Sequence, residues 1–114
     1  MPPPQNDILR GTLDLLVLKA LSFGKAHGYA VARWIQFATG DLLQVGEGTL
    51  YPALYRLEER GWVEATWGAS ENNRKAKFYA LTARGRRQLA SERASWERYA
   101  QAITAALQAP ALPA

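Results

Sequence analysis

The 114-residue chain has no cysteine and a single histidine, His27. The first absence excludes disulfides, thiolate zinc sites and cysteine nucleophiles. The second leaves a histidine relay without a second imidazole. Long apolar runs are missing too, and no stretch reaches the roughly 18 residues that a membrane span needs. The start, Met1-Pro2-Pro3-Pro4-Gln5-Asn6-Asp7, has no basic opening and no apolar stretch, so it does not read as a signal peptide. The expected location is therefore cytoplasmic. The carboxylates are scattered. Glu58 and Glu59 are adjacent, but neighbours on a helix point about 100° apart. Gly46-Glu47-Gly48 lacks the lysine or the spacing of a phosphate loop. No enzyme, metal site or cofactor is expected from this inventory.

Charge of one sign is only mildly in excess. Fourteen Lys and Arg face ten Asp and Glu, for a net charge of +4. Its placement is more informative. Arg74, Lys75, Lys77, Arg84, Arg86 and Arg87 fall in one run with no acidic residue among them. Such a run is either a solvated face or a phosphate contact.

Hydrophobic residues make up 48% of the chain, enough for a core. Residues 1–7 and 109–114 read as tails, with the first expected to be disordered. Between them the pattern predicts three helices, two strands and a long last helix. The first helix covers about residues 8–22. Leu13, Leu16, Val17, Ala20 and Leu21 form a core face, and Gly11, Leu15 and Leu18 form a second face for another helix or a partner chain. The second helix covers about 28–38, with Val31, Ile35 and Ala38 on one side and Gly40 as its stop. The third covers about 49–60. Leu50, Leu54 and Leu57 make its buried stripe, Pro52 is expected in its first turn, and Gly61 ends it.

Residues 62–67 and 75–81 read as strands of a hairpin with a polar tip, and Val63, Ala65 and Trp67 share one side. Thr82 is a good N-cap for a helix running to about 108. Leu89, Trp96, Tyr99, Ala100, Ile103 and Leu107 lie in one stripe of that helix. At 1.5 Å per residue the helix is about 38 Å long, more than a small domain needs to cover itself. Its simplest use is to pack on a second copy. The expected fold is mainly α with a small β-hairpin: a winged helix-turn-helix over residues 8–81, with a C-terminal dimerisation helix over 82–108.

In a helix-turn-helix the second helix of the pair enters the major groove, and its N-terminal residues meet base edges. Helix three is that candidate. Gly48, Pro52, Tyr55, Arg56 and Glu59 lie opposite its leucine stripe, flanked by Thr49 and Tyr51. Thr49 is a base or phosphate contact, the N-cap of helix three, or both. Tyr51 and Tyr55 touch DNA or pack on the domain. Arg56 reaches a guanine or phosphate, or pairs loosely with Glu59. In the hairpin, Arg74, Lys75 and Lys77 are phosphate or minor-groove contacts, or solubilising charges. Trp96 is interface core, or one wall of an aromatic ligand pocket between two chains with Leu15 and Tyr99. Ile8 and Leu18, with Leu89, Trp96, Ala100, Ile103 and Leu107, are the expected dimer contacts.

Four stretches carry a family likeness: His27-Gly28-Tyr29, Gly48-Thr49-Leu50-Tyr51-Pro52-Ala53-Leu54-Tyr55-Arg56-Leu57-Glu58, Gly61-Trp62-Val63, and residues 74–85 from Arg74 to Gly85. Together they resemble PadR-type transcriptional regulators across about residues 8–108. The resemblance implies a homodimeric, usually repressing regulator on a palindromic operator in double-stranded DNA, released by a small molecule. It brings Tyr29 into the expected DNA contacts. With room for one C-terminal helix, the chain resembles the short branch. In its drug-sensing members, a tryptophan at the position of Ser95-Trp96 stacks on flat aromatic ligands at the dimer centre. The wing departs from the family habit of a glycine or proline before the arginine, because Glu71-Asn72-Asn73 fills the tip. That shifts the expected wing contact inward to Asn73, Arg74 and Lys75. Two other readings stay open: a winged helix used only for protein–protein contact, and an aromatic-ligand sensor with weak DNA binding.

Overall fold

The structure is a computed structural model that describes the backbone of residues 5–113 and the side chains of residues 12–113. Helix α1 (Gln5–Leu21) starts inside the stretch read as a tail. It packs against four other elements: helices α2 (Gly28–Ala38) and α4 (Ala83–Gln108), helix α3 (Glu47–Glu59), and strand β3 (Lys75–Leu81). Leu13, Val17, Leu18 and Leu21 are fully buried there. Each such side chain contributes about 2 kcal/mol relative to exposure. The placement corrects the reading of Leu18. With 0% exposure it is sealed in its own chain's core and has no surface left for a partner. Leu89 also packs against that core, though it is only partly buried. Ile8 lies outside the residues whose side chains are described.

Helix α2 contributes Val31 and Ile35 to the core, and α3 contributes Leu50, Ala53, Leu54 and Leu57. The imidazole of His27 caps α2, its Nδ1 accepting the Ala30 N–H at 3.1 Å. After α2, the Thr39 hydroxyl donates to the Ile35 carbonyl at 2.8 Å and accepts the Leu43 N–H at 3.1 Å, turning the chain toward α3. Helix α3 starts two residues earlier than expected, with Gly46 as its N-cap. Thr49 is therefore not the cap but the third helical residue. Pro52 falls at the sixth position rather than in the first turn, so the Gly48 carbonyl loses its i+4 donor. The end of α3 is as expected. Gly61 N–H reaches the Glu58 carbonyl and Trp62 N–H the Leu57 carbonyl, a Schellman closure.

Strand β2 (Val63–Ala69) pairs antiparallel with β3, from Val63 opposite Leu81 to Ala69 opposite Lys75. A third strand, β1 (Ala26–His27), pairs with Tyr79 and Phe78 on the other edge of β3, giving the order β1-β3-β2. Two residues are too few for an alternating pattern, so this strand was invisible as sequence and the hairpin is in fact a three-stranded sheet.

Thr82 fastens the end of the sheet to α4. Its hydroxyl accepts the Gly85 N–H at 3.0 Å and donates to the Gly61 carbonyl at 2.6 Å. Its own N–H reaches the Trp62 carbonyl at 3.1 Å. Gly85 is buried against that same strand start, and a Cβ there would run into the Trp62 carbonyl oxygen. This close approach accounts for glycine three residues after the cap. Gly85→Ala should lower stability by about 1–3 kcal/mol through overpacking against backbone. Thr82→Ala should cost about 1 kcal/mol through the lost cap. Urea melts read both, and an unchanged midpoint for Gly85→Ala would remove this junction from the account.

Candidate nucleic-acid interface

The start of α3 and the start of α2 lock together through one ring. Tyr51 lies across Gly28, and its hydroxyl sits 2.8 Å from the position a Cβ would occupy there. Any larger residue at 28 would push the ring away. Tyr29 follows, 66% exposed, with its ring stacked on His27 at 6.3 Å and 20°. Arg33, one turn along α2, sits over the Tyr29 ring at 5.8 Å. Tyr29, Arg33 and Tyr51 line two grooves. One, of about 630 Å³, is closed on its far side by Ser70, Glu71 and Asn72 of the wing. The other, of about 560 Å³, runs to Gly46 and Glu47 at the start of α3.

The wing tip is built by hydrogen bonds. Asn73 N–H reaches the Ser70 carbonyl at 2.9 Å, and Ser70 N–H the Arg74 carbonyl at 2.8 Å. Asn73 takes a φ of 58°. This is a three-residue hairpin loop, a turn followed by a left-handed residue, and asparagine tolerates that conformation better than most. Asn73 therefore has a backbone task as well as its expected place beside the partner. Arg74 and Lys75 are exposed, with the Lys75 ammonium 5.2 Å from the Trp67 ring centre.

Two of the expected contacts are ion-paired within the chain, although Lys77 also lines the larger groove. Lys77 lies 3.6 Å from Glu58 and over the rings of Tyr55 and Tyr79, at 5.3 and 5.5 Å. It joins the wing to α3. Arg56 is not paired with Glu59. Its guanidinium donates to Asp14 of α1 at 2.9 Å. The partner stands 42 positions away, beyond the reach of helical spacing. The remaining expected residues of α3 stay on its outer side: Gly48, Pro52 and Tyr55 are exposed, and Thr49 is half-buried.

Arg33 was missed. Its signal was present in the sequence, since it lies at i+4 from Tyr29 and away from Val31 and Ile35, on the face that α2 leaves open. Elsewhere, Leu15, Trp96 and Tyr99 come together within one chain. With Thr12, Glu92 and Ser95 they line a concavity of about 360 Å³ between α1 and α4, the two aromatic rings 6.2 Å apart. Trp96, Tyr99, Ile103 and Leu107 are 44%, 61%, 43% and 82% exposed, and Ala100 is half-buried. Among the described residues, no three of His, Cys, Asp and Glu converge as metal ligands, and no helix is long and apolar enough to cross a membrane.

Three helices and a three-stranded wing, followed by one long helix, define a winged helix-turn-helix protein. The chain belongs to the PadR-like family of transcriptional regulators, whose model matches residues 17–91. It is similar to a transcriptional regulator from Clostridium thermocellum, at 30% identity and a TM-score of 0.78, over 86% of this chain and 95% of that one. A PadR-like transcriptional regulator from Bacillus cereus shares 28% identity at a TM-score of 0.77, over 91% and 99% of the two chains. An uncharacterised protein of Lysinibacillus sphaericus is 32% identical over 92 residues, 81% of this chain and 84% of that protein.

The Lys77 cluster sets the behaviour in alkali. Burial pushes the Tyr79 phenol above its ordinary value of 10.0; Lys77 opposes that push, while Glu58 and Tyr51 add to it. Lys77 is raised too. Desolvation works against its charge, and Tyr79, Glu58 and Tyr55 outweigh it. Both groups hold their protons more tightly folded than unfolded. Their stabilisation is complete below the ordinary phenol value and is lost as pH rises through the folded values. Urea midpoints should therefore fall above about pH 10, the unfolded tyrosine value. Tyr79→Phe should flatten part of that fall, and an identical alkaline curve for the variant would contradict the assignment.

Proposed function

We propose that the protein is a homodimeric repressor that binds a palindromic operator in double-stranded DNA and is released by a flat aromatic effector. The observation that carries the DNA reading is the shared groove. The exposed start of α3, the Tyr29–Arg33 edge of α2 and the wing tip open onto one side of the domain. In this reading Gly48, Thr49, Tyr51, Pro52 and Tyr55 meet base edges or the sugar–phosphate surface of the major groove. Arg33, Arg74 and Lys75 neutralise phosphates beside it, with Asn73 holding the wing turn. The work is done in the cytoplasm, where this target is expected.

Dimerisation is supported by α4. It is 26 residues long, and Trp96, Tyr99, Ile103 and Leu107 leave an apolar stripe open along its second half. Full burial of such side chains contributes about 2 kcal/mol each, and a second copy supplies a matching stripe. The two copies of α3 would then enter successive major grooves about one helical turn apart. Effector binding is supported by the concavity of Leu15, Trp96 and Tyr99, which adjoins that stripe. An occupant there would change the angle between the two heads.

Binding to a duplex carrying the promoter of its own gene should weaken steeply with salt. Arg33→Ala and Arg74→Ala should each weaken it severalfold and each lower the log–log salt slope by about one. A wild-type affinity indifferent to salt would point instead to protein–protein contact. Ile103→Arg should give a monomer in sedimentation, while Trp96→Ala should remove binding of a flat aromatic dye. A wild-type monomer at micromolar concentration would end the dimer reading. If Trp96→Ala breaks the dimer instead, that ring is interface core.

A further inference from the structure

Arg56 belongs to α3 yet lines neither of the two grooves beside it. Its Nη2 donates to Oδ1 of Asp14 at 2.9 Å, with the Arg56 side chain 33% exposed and that of Asp14 16%. The other two ion pairs among the described residues are longer, at 3.6 Å for Lys77–Glu58 and 3.4 Å for Arg93–Glu97, and their carboxylates are at least twice as exposed. The Asp14–Arg56 contact is thus the shortest and best shielded of the three.

Its position lets it add to what the core does. Leu50, Leu54 and Leu57 are buried and keep one face of α3 on the domain, and a polar tie at a fixed point on the helix adds a directional constraint to that packing. A charge-assisted hydrogen bond has a preferred direction as well as a short distance. It is made at the tenth of the thirteen residues of α3, beyond the exposed start that carries Gly48, Thr49 and Tyr51. A turn of the helix at Arg56 is therefore a turn of those residues too.

We propose that Asp14 and Arg56 form a positioning clamp that sets the rotation of α3, and that Arg56 serves operator binding through Asp14 rather than by touching DNA. The proposal rests on α3 as the element that enters the groove. It assigns α1 a part in DNA reading although none of its described side chains lines either groove.

The rival role for Arg56, a phosphate contact, makes opposite predictions. Asp14→Asn removes the charged acceptor while keeping the shape. Under the clamp, operator affinity falls at least tenfold and the salt slope is unchanged, because no phosphate contact is lost. Under direct contact, freeing Arg56 leaves affinity equal or higher. Arg56→Gln likewise weakens binding under the clamp without moving the slope, whereas loss of a phosphate contact lowers it by about one. The double variant Asp14→Arg with Arg56→Asp rebuilds the pair in reverse and should recover affinity to within about threefold of wild type, since a reversed charge pair keeps the same attraction.

All four proteins are compared on the same promoter duplex, below the melting temperature of the least stable. If Asp14→Asn does not fold, the Arg56→Gln slope and the reversed pair decide. Unchanged affinity in Asp14→Asn, a lowered slope in Arg56→Gln, or a folded reversed pair that binds no better than the single variants overturns the clamp. Loss of salt-dependent binding by wild type would overturn the DNA reading itself, a separate outcome.

Discussion

Helix α1 buries Leu13, Val17, Leu18 and Leu21 against α2, α3, α4 and β3 at once, and the other elements take their places from that burial. The cost of ordering a chain is of order 1–2 kcal/mol per residue, and a domain this small has little apolar area with which to offset it. Placing one helix at the centre lets a single apolar surface serve four neighbours. The arrangement also makes α1 the common wall of two regions. Thr12 and Leu15 line the concavity shared with α4, while Asp14 between them grips α3. Events on the α4 side are thus one helical turn from the element that faces the grooves.

Around those grooves the cations divide into two groups. Arg56 and Lys77 are held by carboxylates and rings of their own chain, and they tie α3 to α1 and to the wing. Arg33, Arg74 and Lys75 are exposed. A net charge of +4 is too small to describe such a surface. What matters is which of these cations are tied to a carboxylate, since a charge-assisted hydrogen bond holds its donor in a preferred direction. Asn73 shows the same economy on a smaller scale, because its left-handed backbone shapes the tip that carries Arg74 and Lys75 outward.

Much of this was legible as sequence where the physics is local. The leucine stripe of α3, the glycine stop at 61, the Thr82 cap and the return strand all follow from periodicity and from the needs of helix ends. The start of α3 was misjudged because Gly46 caps it without a side-chain hydrogen bond, and so leaves no residue to recognise. Arg33 was legible at i+4 from Tyr29 but is a single charge among many.

The sequence by itself determined the family, the order of elements and the apolar faces, because these depend on residues within a turn or two of each other. Tertiary structure decided which apolar and charged groups remain available. Leu18 was buried, and Arg56 and Lys77 were tied to carboxylates, by partners far along the chain, β1 exists only as an edge for β3, and position 28 has no room for a side chain because Tyr51 lies over it. Contacts between residues so far apart leave no period in a sequence. They arise when burial of the core brings the elements together.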